Sequence, residues 1–273
     1  MAYADCVAFL KDALPRLGLS SRGFRRVDAQ VCKRIRRRFL ALGLADFMAY
    51  RKYIESAPAE WDVVQSLCHI TISRFWRDRA VFDRLAAEIV PRLSDAAASR
   101  GDKILRAWSA GCASGEEPYS PRLLWEFCVA SKYPDRAISI VATDADAISL
   151  QRARTACYRA SSLRELPEGW IRAAFDRQGL VYCLRESLRT DVAFHEEDIR
   201  IQAPEGPFDL ILCRNLAFTY FDRAGREAAL ERMVAELRLG GALVIGRGES
   251  LPPHGSLVED WDPDRGIYRK PRE

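Results

Sequence analysis

Leu105-Arg-Ala-Trp-Ser-Ala-Gly-Cys-Ala-Ser-Gly-Glu-Glu-Pro-Tyr119 is an apolar run that ends in two glycines, two carboxylates and a proline. The pattern predicts a strand, a tight loop and the start of a helix. An α/β domain uses that order to bring bare backbone to a ligand at the carboxyl end of its first strand. Gly111 and Gly115 lack a Cβ, so the loop turns sharply and presents main chain. Pro118 suits a first helical turn, where its missing N–H costs nothing. Glu116 and Glu117 would repel a nucleotide diphosphate at the mouth of this loop. A cofactor with a cationic centre, a free amino group and ribose hydroxyls fits better, and S-adenosylmethionine (SAM) is such a molecule. The plain alternative is an ordinary strand–turn–helix with a glycine-rich bend.

Downstream, a helical stretch (Leu123, Leu124, Phe127, Cys128) stops near Tyr133-Pro134, and a second strand is predicted over Ala137-Ile-Ser-Ile-Val-Ala-Thr-Asp144. An acid at the tip of that strand is placed to hold a ribose diol through paired hydrogen bonds to one carboxylate. Further strands are expected at 180–184 and 192–194, as a small hairpin, and at 208–214 and 240–246. A helix is expected at 224–237, and an antiparallel pair, 256–260 and 266–270, closes the sheet. The chain before residue 93 reads as helical. Val7, Leu10, Leu14 and Leu17 share one helix face up to Gly18, and further helices follow over 27–42, 45–55, from Trp61, and over 81–90 until Pro91 ends or kinks the last. The small, polar segment 94–102 reads as a linker. The expected organisation is an all-helical domain (1–93), a linker (94–103) and an α/β domain (104–273).

Length and composition fit this. The chain has 273 residues, 48% hydrophobic and 29% charged, ordinary for a soluble globular protein. No run approaches the ~20 apolar residues of a membrane helix, and Asp5 and Lys11 interrupt any secretion-signal layout. A cytoplasmic monomer without membrane insertion is expected. Eight cysteines (6, 32, 68, 112, 128, 157, 183, 213) are scattered without a CxxC pair, so they read as small buried hydrophobes rather than a disulfide or zinc framework. With three separated histidines (69, 195, 254), no metal is expected. The net charge of +4 conceals a basic run, Arg22, Arg25, Arg26, Lys33, Arg34, Arg36, Arg37 and Arg38, against the single acid Asp28. Such a run is either a solvated helix face or a docking surface for an acidic partner. Only Phe24 and Phe39 accompany it, which disfavours a base-stacking surface for nucleic acid.

Five motifs in order, Ser73-Arg-Phe-Trp-Arg77, Gly115-Glu-Glu-Pro-Tyr-Ser120, Ala142-Thr-Asp144, Cys213-Arg-Asn215 and Gly240-Gly with Glu249-Ser-Leu251, give the chain its resemblance to the CheR-type methyltransferases. These transfer methyl from SAM to glutamate side chains of bacterial chemoreceptors. The resemblance implies a small helical amino-terminal domain and a Rossmann-like class I SAM methyltransferase domain with a small β-subdomain. It implies Arg77 as the arginine reaching cofactor and active site, with Thr71 and Ser73 as neighbouring cofactor contacts. Thr71 stands where asparagine is frequent. It further implies Glu117 near the methionyl end, Asp144 on the ribose, Asp198 and Ile199 at the adenine (in place of Asn-Leu), and Arg214 and Asn215 beside the transferring methyl. Gly111 and Gly115 complete the cofactor-binding set, and Arg77, Arg214, Asn215 and Tyr220 form the catalytic one. The residues also have plainer readings. Arg77 could pair with Asp78 or Asp83, Asp198 could sit in a solvated acidic turn, and Asn215 could cap a helix.

Three positions depart from the family pattern. Tyr220 follows Asn215 by one residue more than usual, which turns a helical side chain by ~100°. Arg247-Gly248 replaces the usual His-Ser, and the hairpin region 179–194, whose counterpart tethers a receptor tail, is tight. Methyl transfer from a sulfonium is an in-line displacement, in which the protein chiefly positions donor and acceptor. A carboxylate acceptor is already ionised and needs no general base. Arg77 and Arg214 could orient it through their fork geometry, with Asn215 or Tyr220 as neutral contacts. The expected activity is glutamate O-methylation of a protein. The alternatives are a small-molecule or non-chemoreceptor acceptor, or a non-catalytic SAM-binding regulatory module. The amino-methylation motif Asn-Pro-Pro-Tyr is missing.

Overall fold

The computed structural model describes residues 3–71 and 73–272 and divides into two compact units. The first comprises the chain up to Ile70 together with Thr219–Gly225; the second comprises Thr71–Phe218 and the chain from Arg226 onward.

The first unit carries α1 (Tyr3–Arg16), α2 (Ser21–Phe24), α3 (Asp28–Ala41), α4 (Phe47–Ser56) and α5 (Glu60–Leu67). The buried face of α1 is Cys6, Phe9, Leu10, Ala13 and Leu14. The expected stripe was therefore turned slightly, and Val7 and Leu17 are only half-buried. Phe9, Phe39, Phe47 and Tyr50 meet ring to ring at 5.3–6.2 Å. Cys6 and Cys32 form a disulfide that staples α1 to α3. Reading all eight cysteines as isolated thiols is thereby corrected, and a second pair appears in the other unit. The partners lie 26 residues apart in sequence, and only the packing of the two helices brings them together.

The basic run is only partly a free surface. Arg34 donates to the carbonyls of Leu67 and His69. Arg38 grips the buried Glu60 with both arms at 2.8 Å, and the Tyr50 hydroxyl adds a third bond to that carboxylate at 2.9 Å. The guanidinium holds the Glu60 carboxyl below its usual range despite burial. Arg22, Arg25, Arg26, Lys33, Arg36 and Arg37 remain exposed. The segment 219–225 completes this unit. Ser20 N donates to Tyr220 O at 2.8 Å, Asp222 N to Gly18 O at 2.9 Å, and Leu19 pairs with Phe221.

The second unit opens with α6 (Arg79–Arg84), which passes through a π turn at Leu85–Ile89 into α7 (Val90–Ser99). Pro91 therefore does not end the helix. It stands at the start of α7, directly after the widened turn, where an N–H is least missed. The expected linker is helical through Ser99. Its Ala96–Ala98 run has the highest helix propensity, Leu93 and Ala97 are buried, and the chain turns only at Gly101.

There follow β1 (Ile104–Ala110), α8 (Glu116–Leu124), β2 (Ala137–Asp144), α9 (Ala147–Thr155), β3 (Cys157–Arg159), α10 (Ala160–Leu163), α11 (Glu168–Ala174), β4 (Phe175–Gln178), β5 (Val181–Leu184), β6 (Val192–Glu196) and β7 (Phe208–Cys213). The short α12 (Ala217–Tyr220) leads into the helical unit. Then α13 (Arg223–Glu236), β8 (Leu237–Ile245), β9 (Glu259–Asp262) and β10 (Ile267–Arg269) finish the chain.

The seven-stranded sheet runs β6-β2-β1-β7-β8-β10-β9, parallel except for the closing β10 and β9. Its central strands are largely apolar and buried, as in β7, where all six residues are buried and the one charge, Asp209, is paired with Arg100 and Arg238. Direction reverses beside β1, so the carboxyl ends of β1, β2 and β7 border the crevice where open α/β sheets bind ligands. The expected 180–194 hairpin is corrected. β6 joins the large sheet beside β2, while β5 sits between β3 and β4 in a separate three-stranded sheet. Within it Cys157 and Cys183 face each other across β3 and β5 and are disulfide-bonded. Among the described residues, no helix is long and apolar enough to cross a membrane.

Candidate active site

The site is assembled at the carboxyl ends of β1, β2 and β7. Gly111 and Gly115 were expected to bare main chain to a ligand, but the room a Cβ would take is filled by protein. Such an atom would lie 2.2 Å from Leu216 Cδ2 at Gly111, and 2.9 Å from both Ala153 Cβ and Tyr158 Oη at Gly115. Both residues have positive φ, +76° and +94°, a region that costs an ordinary side chain strain. Two of the loop's amides are also in use, since Gly111 N and Cys112 N both donate to Thr143 O. The glycines thus pin the loop to β2 and α9.

Asp144 organises the turn around it. Its Oδ2 accepts from Ala113 N at 2.8 Å and its Oδ1 from Asp146 N at 2.9 Å. A carboxylate has about four lone-pair positions, so one such group can serve several donors at once. Glu197 N donates to Asp144 O at 3.1 Å, which brings the turn after β6 alongside. In that turn Asp198 is neither solvated nor free, because Arg200 forks onto its carboxylate at 2.5–3.0 Å. Ile199 is buried.

The opposite end of the crevice is a charge cluster. Arg214, with 1% of its side chain exposed, donates to Arg77 O at 2.6 Å and Asp78 Oδ2 at 2.7 Å, and reaches Glu117 Oε2 at 3.5 Å. Its guanidinium carbon also lies 5.1 Å from the centre of the Phe82 ring. Glu117 accepts from the Ser109 hydroxyl at 3.0 Å. Burial raises the Glu117 carboxyl above the usual glutamate range, against the opposing pull of Arg214, the Ser109 bond and Arg77. Asn215 N and Gly246 N both donate to Glu249 Oε2, at 2.9 and 2.5 Å. Trp76, Asp78, Ala113 and Asn215 all adopt positive φ, at 55°, 61°, 47° and 57°. Concentrated strain of this kind persists where a site fixes the backbone.

Arg77 therefore belongs to the α/β unit, which begins at Thr71. This corrects its assignment to the helical domain. Thr71 and Ser73 stand half-buried at the head of the same segment. Tyr220 goes the other way. It closes α12 within the helical unit, its ring 5.0 Å from that of Phe24. Asp78, Ser109 and Glu249 were given no site role from the sequence. Glu249 did stand in the fifth motif and Asp78 directly after Phe-Trp-Arg, whereas Ser109 was one residue of an apolar run.

The sequence also matches the family described as CheR methyltransferase, SAM binding domain, over residues 71–264. The chain belongs to the CheR methyltransferase family. It is accordingly a SAM-dependent methyltransferase, and the matched span starts with the first residue of the α/β unit. Among CheR relatives, the chemotaxis protein methyltransferase of Listeria innocua is 36% identical over 75% of each chain. Vibrio cholerae chemotaxis protein methyltransferase 2 is 30% identical over 88% of this chain and 84% of its own. That of Escherichia coli K12 is 30% identical over 86% and 87%.

The residues present fit the SAM that the CheR family uses. Buried polar atoms without partners, Glu197 Oε2, Arg214 Nε and Asn215 Oδ1, lie past the ends of β6 and β7, and Asp144 and Glu117 supply acceptors for hydroxyls and a cationic amino group. Asp144→Ala should weaken SAM and S-adenosylhomocysteine binding by roughly 1.5–3 kcal/mol, the scale of charge-assisted hydrogen bonds. Isothermal titration checks this, and an unchanged affinity would move the ribose elsewhere.

Glu117 adds a pH dependence. Pairing with the cationic amino group of SAM would require it ionised, and its carboxyl is raised by burial, so affinity should fall on acidification at a higher pH than an exposed glutamate would give. The group's own effect on stability runs the other way, because a raised carboxyl favours the folded state as pH falls through that range. Glu117→Gln should flatten this step in the titrations.

Proposed function

We propose that the protein transfers methyl to a glutamate carboxylate on an acidic protein surface. The observation that carries this is the Glu117–Arg214–Asp78–Arg77 cluster beside Asn215, which offers cations and amides but no histidine. His69 lies in the helical unit, His195 is exposed on β6, and His254 Nδ1 contacts Pro252 O at 2.9 Å. An acceptor that needs no deprotonation suits such a site. SAM supplies an electrophilic methyl on a sulfonium. Asp144 would hold its ribose, and Glu117 its amino group, with Arg214 fixing the Glu117 carboxylate. Arg77 would orient the acceptor oxygen, and Asn215 would supply a neutral contact. Cys112 and Cys213 take no part, since burial drives both thiols well above their ordinary range.

Names of the relatives point to chemotaxis, and an acidic substrate helix would complement the exposed Arg22, Arg25, Arg26, Lys33, Arg36 and Arg37. These charges act over ~8 Å at physiological salt, so they serve capture more than chemistry. Arg34 and Arg38 are structural and are left out of the test. With an acidic protein substrate, reversing Lys33, Arg36 and Arg37 to Glu should raise KM roughly tenfold, about 1.4 kcal/mol, and leave kcat nearly unchanged. Isotopically labelled product should release methanol on mild alkaline treatment. Base-stable methylation would overturn the carboxylate assignment, and unchanged kinetics would reduce the basic face to a solvated one.

A further inference from the structure

A cavity of about 370 Å³ lies outside the residues assigned above to SAM, lined by Asp78, Arg79, Ala80, Val81, Arg247, Asp264 and Arg265. It adjoins the charge cluster on two sides. Asp78, in its wall, holds Arg214 at 2.7 Å. Arg247 follows Gly246, whose amide shares Glu249 with Asn215.

Most of the charge around the cavity is neutralised internally. Asp78 is matched by Arg214, and Arg265 lies 3.0 Å from Asp262, while Arg79 leans on Asp83 at 3.5 Å across exposed surface. Arg247 and Asp264 are both exposed, and neither has an ion-pair partner among the described residues. Arg247 stands in a turn between Gly246 and Gly248, the latter at φ +81°, and is part of the cavity lining. Ala80 and the buried Val81 give the cavity an apolar patch.

We infer that this cavity is an acceptor-side specificity pocket and that Arg247 is its specificity-determining residue. It takes the side chain of a second acidic residue flanking the methylated glutamate. The chemistry fits such an occupant: methylenes against Ala80 and Val81, a carboxylate on the free guanidinium, and a peptide N–H for Asp264. A guanidinium binds a carboxylate through two parallel bonds, which gives direction as well as charge. The inference rests on the proposed carboxylate methylation, and its test separates the two.

The full chain, saturated with S-adenosylhomocysteine and labelled with ¹⁵N, is titrated with the capped dipeptide acetyl-Glu-Glu-amide and with acetyl-Gln-Gln-amide while amide and arginine Nε–H signals are followed. Saturable shifts at Gly246, Arg247 and Gly248 are expected with the diglutamate and at least fivefold weaker ones with the diglutamine. Arg247→Gln should lower the diglutamate affinity at least fivefold, and Arg247→Lys should restore part of it. Titration of the same variants with S-adenosylhomocysteine should be unchanged, since Arg247 has no role in holding it. Equal binding of the two dipeptides, or equal affinity in Arg247→Gln, would overturn the pocket. The carboxylate reading would survive that result, because it stands on alkali-labile methyl release measured separately.

Discussion

Arg214→Ala is expected to destabilise the α/β unit by about 3–5 kcal/mol, the range for removing one partner of a buried ion pair. Arg214 is an ion-pair partner of both Asp78 and Glu117, it also satisfies Arg77 O, and almost none of its side chain meets water. Its removal takes the guanidinium from Asp78 and Arg77 O and leaves Glu117 with the Ser109 hydroxyl and the pull of Arg77. At about 2–4 °C per kcal/mol for a unit of this size, the melting temperature should fall by roughly 6–20 °C. Arg214→Lys should recover only part of the loss, since an ammonium cannot span the three acceptors with a planar fork. A melting temperature within 2 °C of the parent would mean that Asp78 and Glu117 find other cations, and the cluster would lose its central place.

Arg77→Ala should behave in the opposite way. Its carbonyl, not its side chain, is what Arg214 holds, so the substitution preserves that contact. The guanidinium is one of the charges that draw the Glu117 carboxyl down against its burial. The expected result is a native circular dichroism spectrum and melting curve, with kcat reduced about 10²–10³-fold, the scale for losing one preorganised donor. S-adenosylhomocysteine affinity should change by no more than a few-fold. Retained turnover would remove Arg77 from the chemistry. A collapse of cofactor binding would reassign it to holding SAM.

What was legible in the sequence was local. The β1–loop–α8–β2 unit, with Gly111, Glu117 and Asp144, is written in about 40 consecutive residues, and each of its signals acts within a few positions. What was hidden depends on partners distant in sequence. β5 chooses β3 and β4 over β6 through pairing that alternating short strands do not specify. Cys6 and Cys157 find their partners 26 residues away. Arg34 and Arg38 looked like surface charge because their acceptors, two carbonyls and Glu60, sit 22 to 35 residues further on. The Ser94–Ser99 segment failed for a different reason. Its small residues resemble a linker in polarity, while its alanines favour helix and two of its side chains are core.

The helical unit is discontinuous, and that sets the order of events during synthesis. Leu19 and Ser20 are paired by Phe221 and Tyr220, which leave the ribosome about 150 residues after Ile70. At about 5–20 residues per second, the first five helices wait roughly 8–30 s for the segment that completes them. During that interval the Gly18 carbonyl and the Ser20 amide lack their final partners, while the strands of the α/β unit through β7 are emerging. Chain order and assembly order therefore differ. The amino-terminal unit begins first and is finished from within its neighbour.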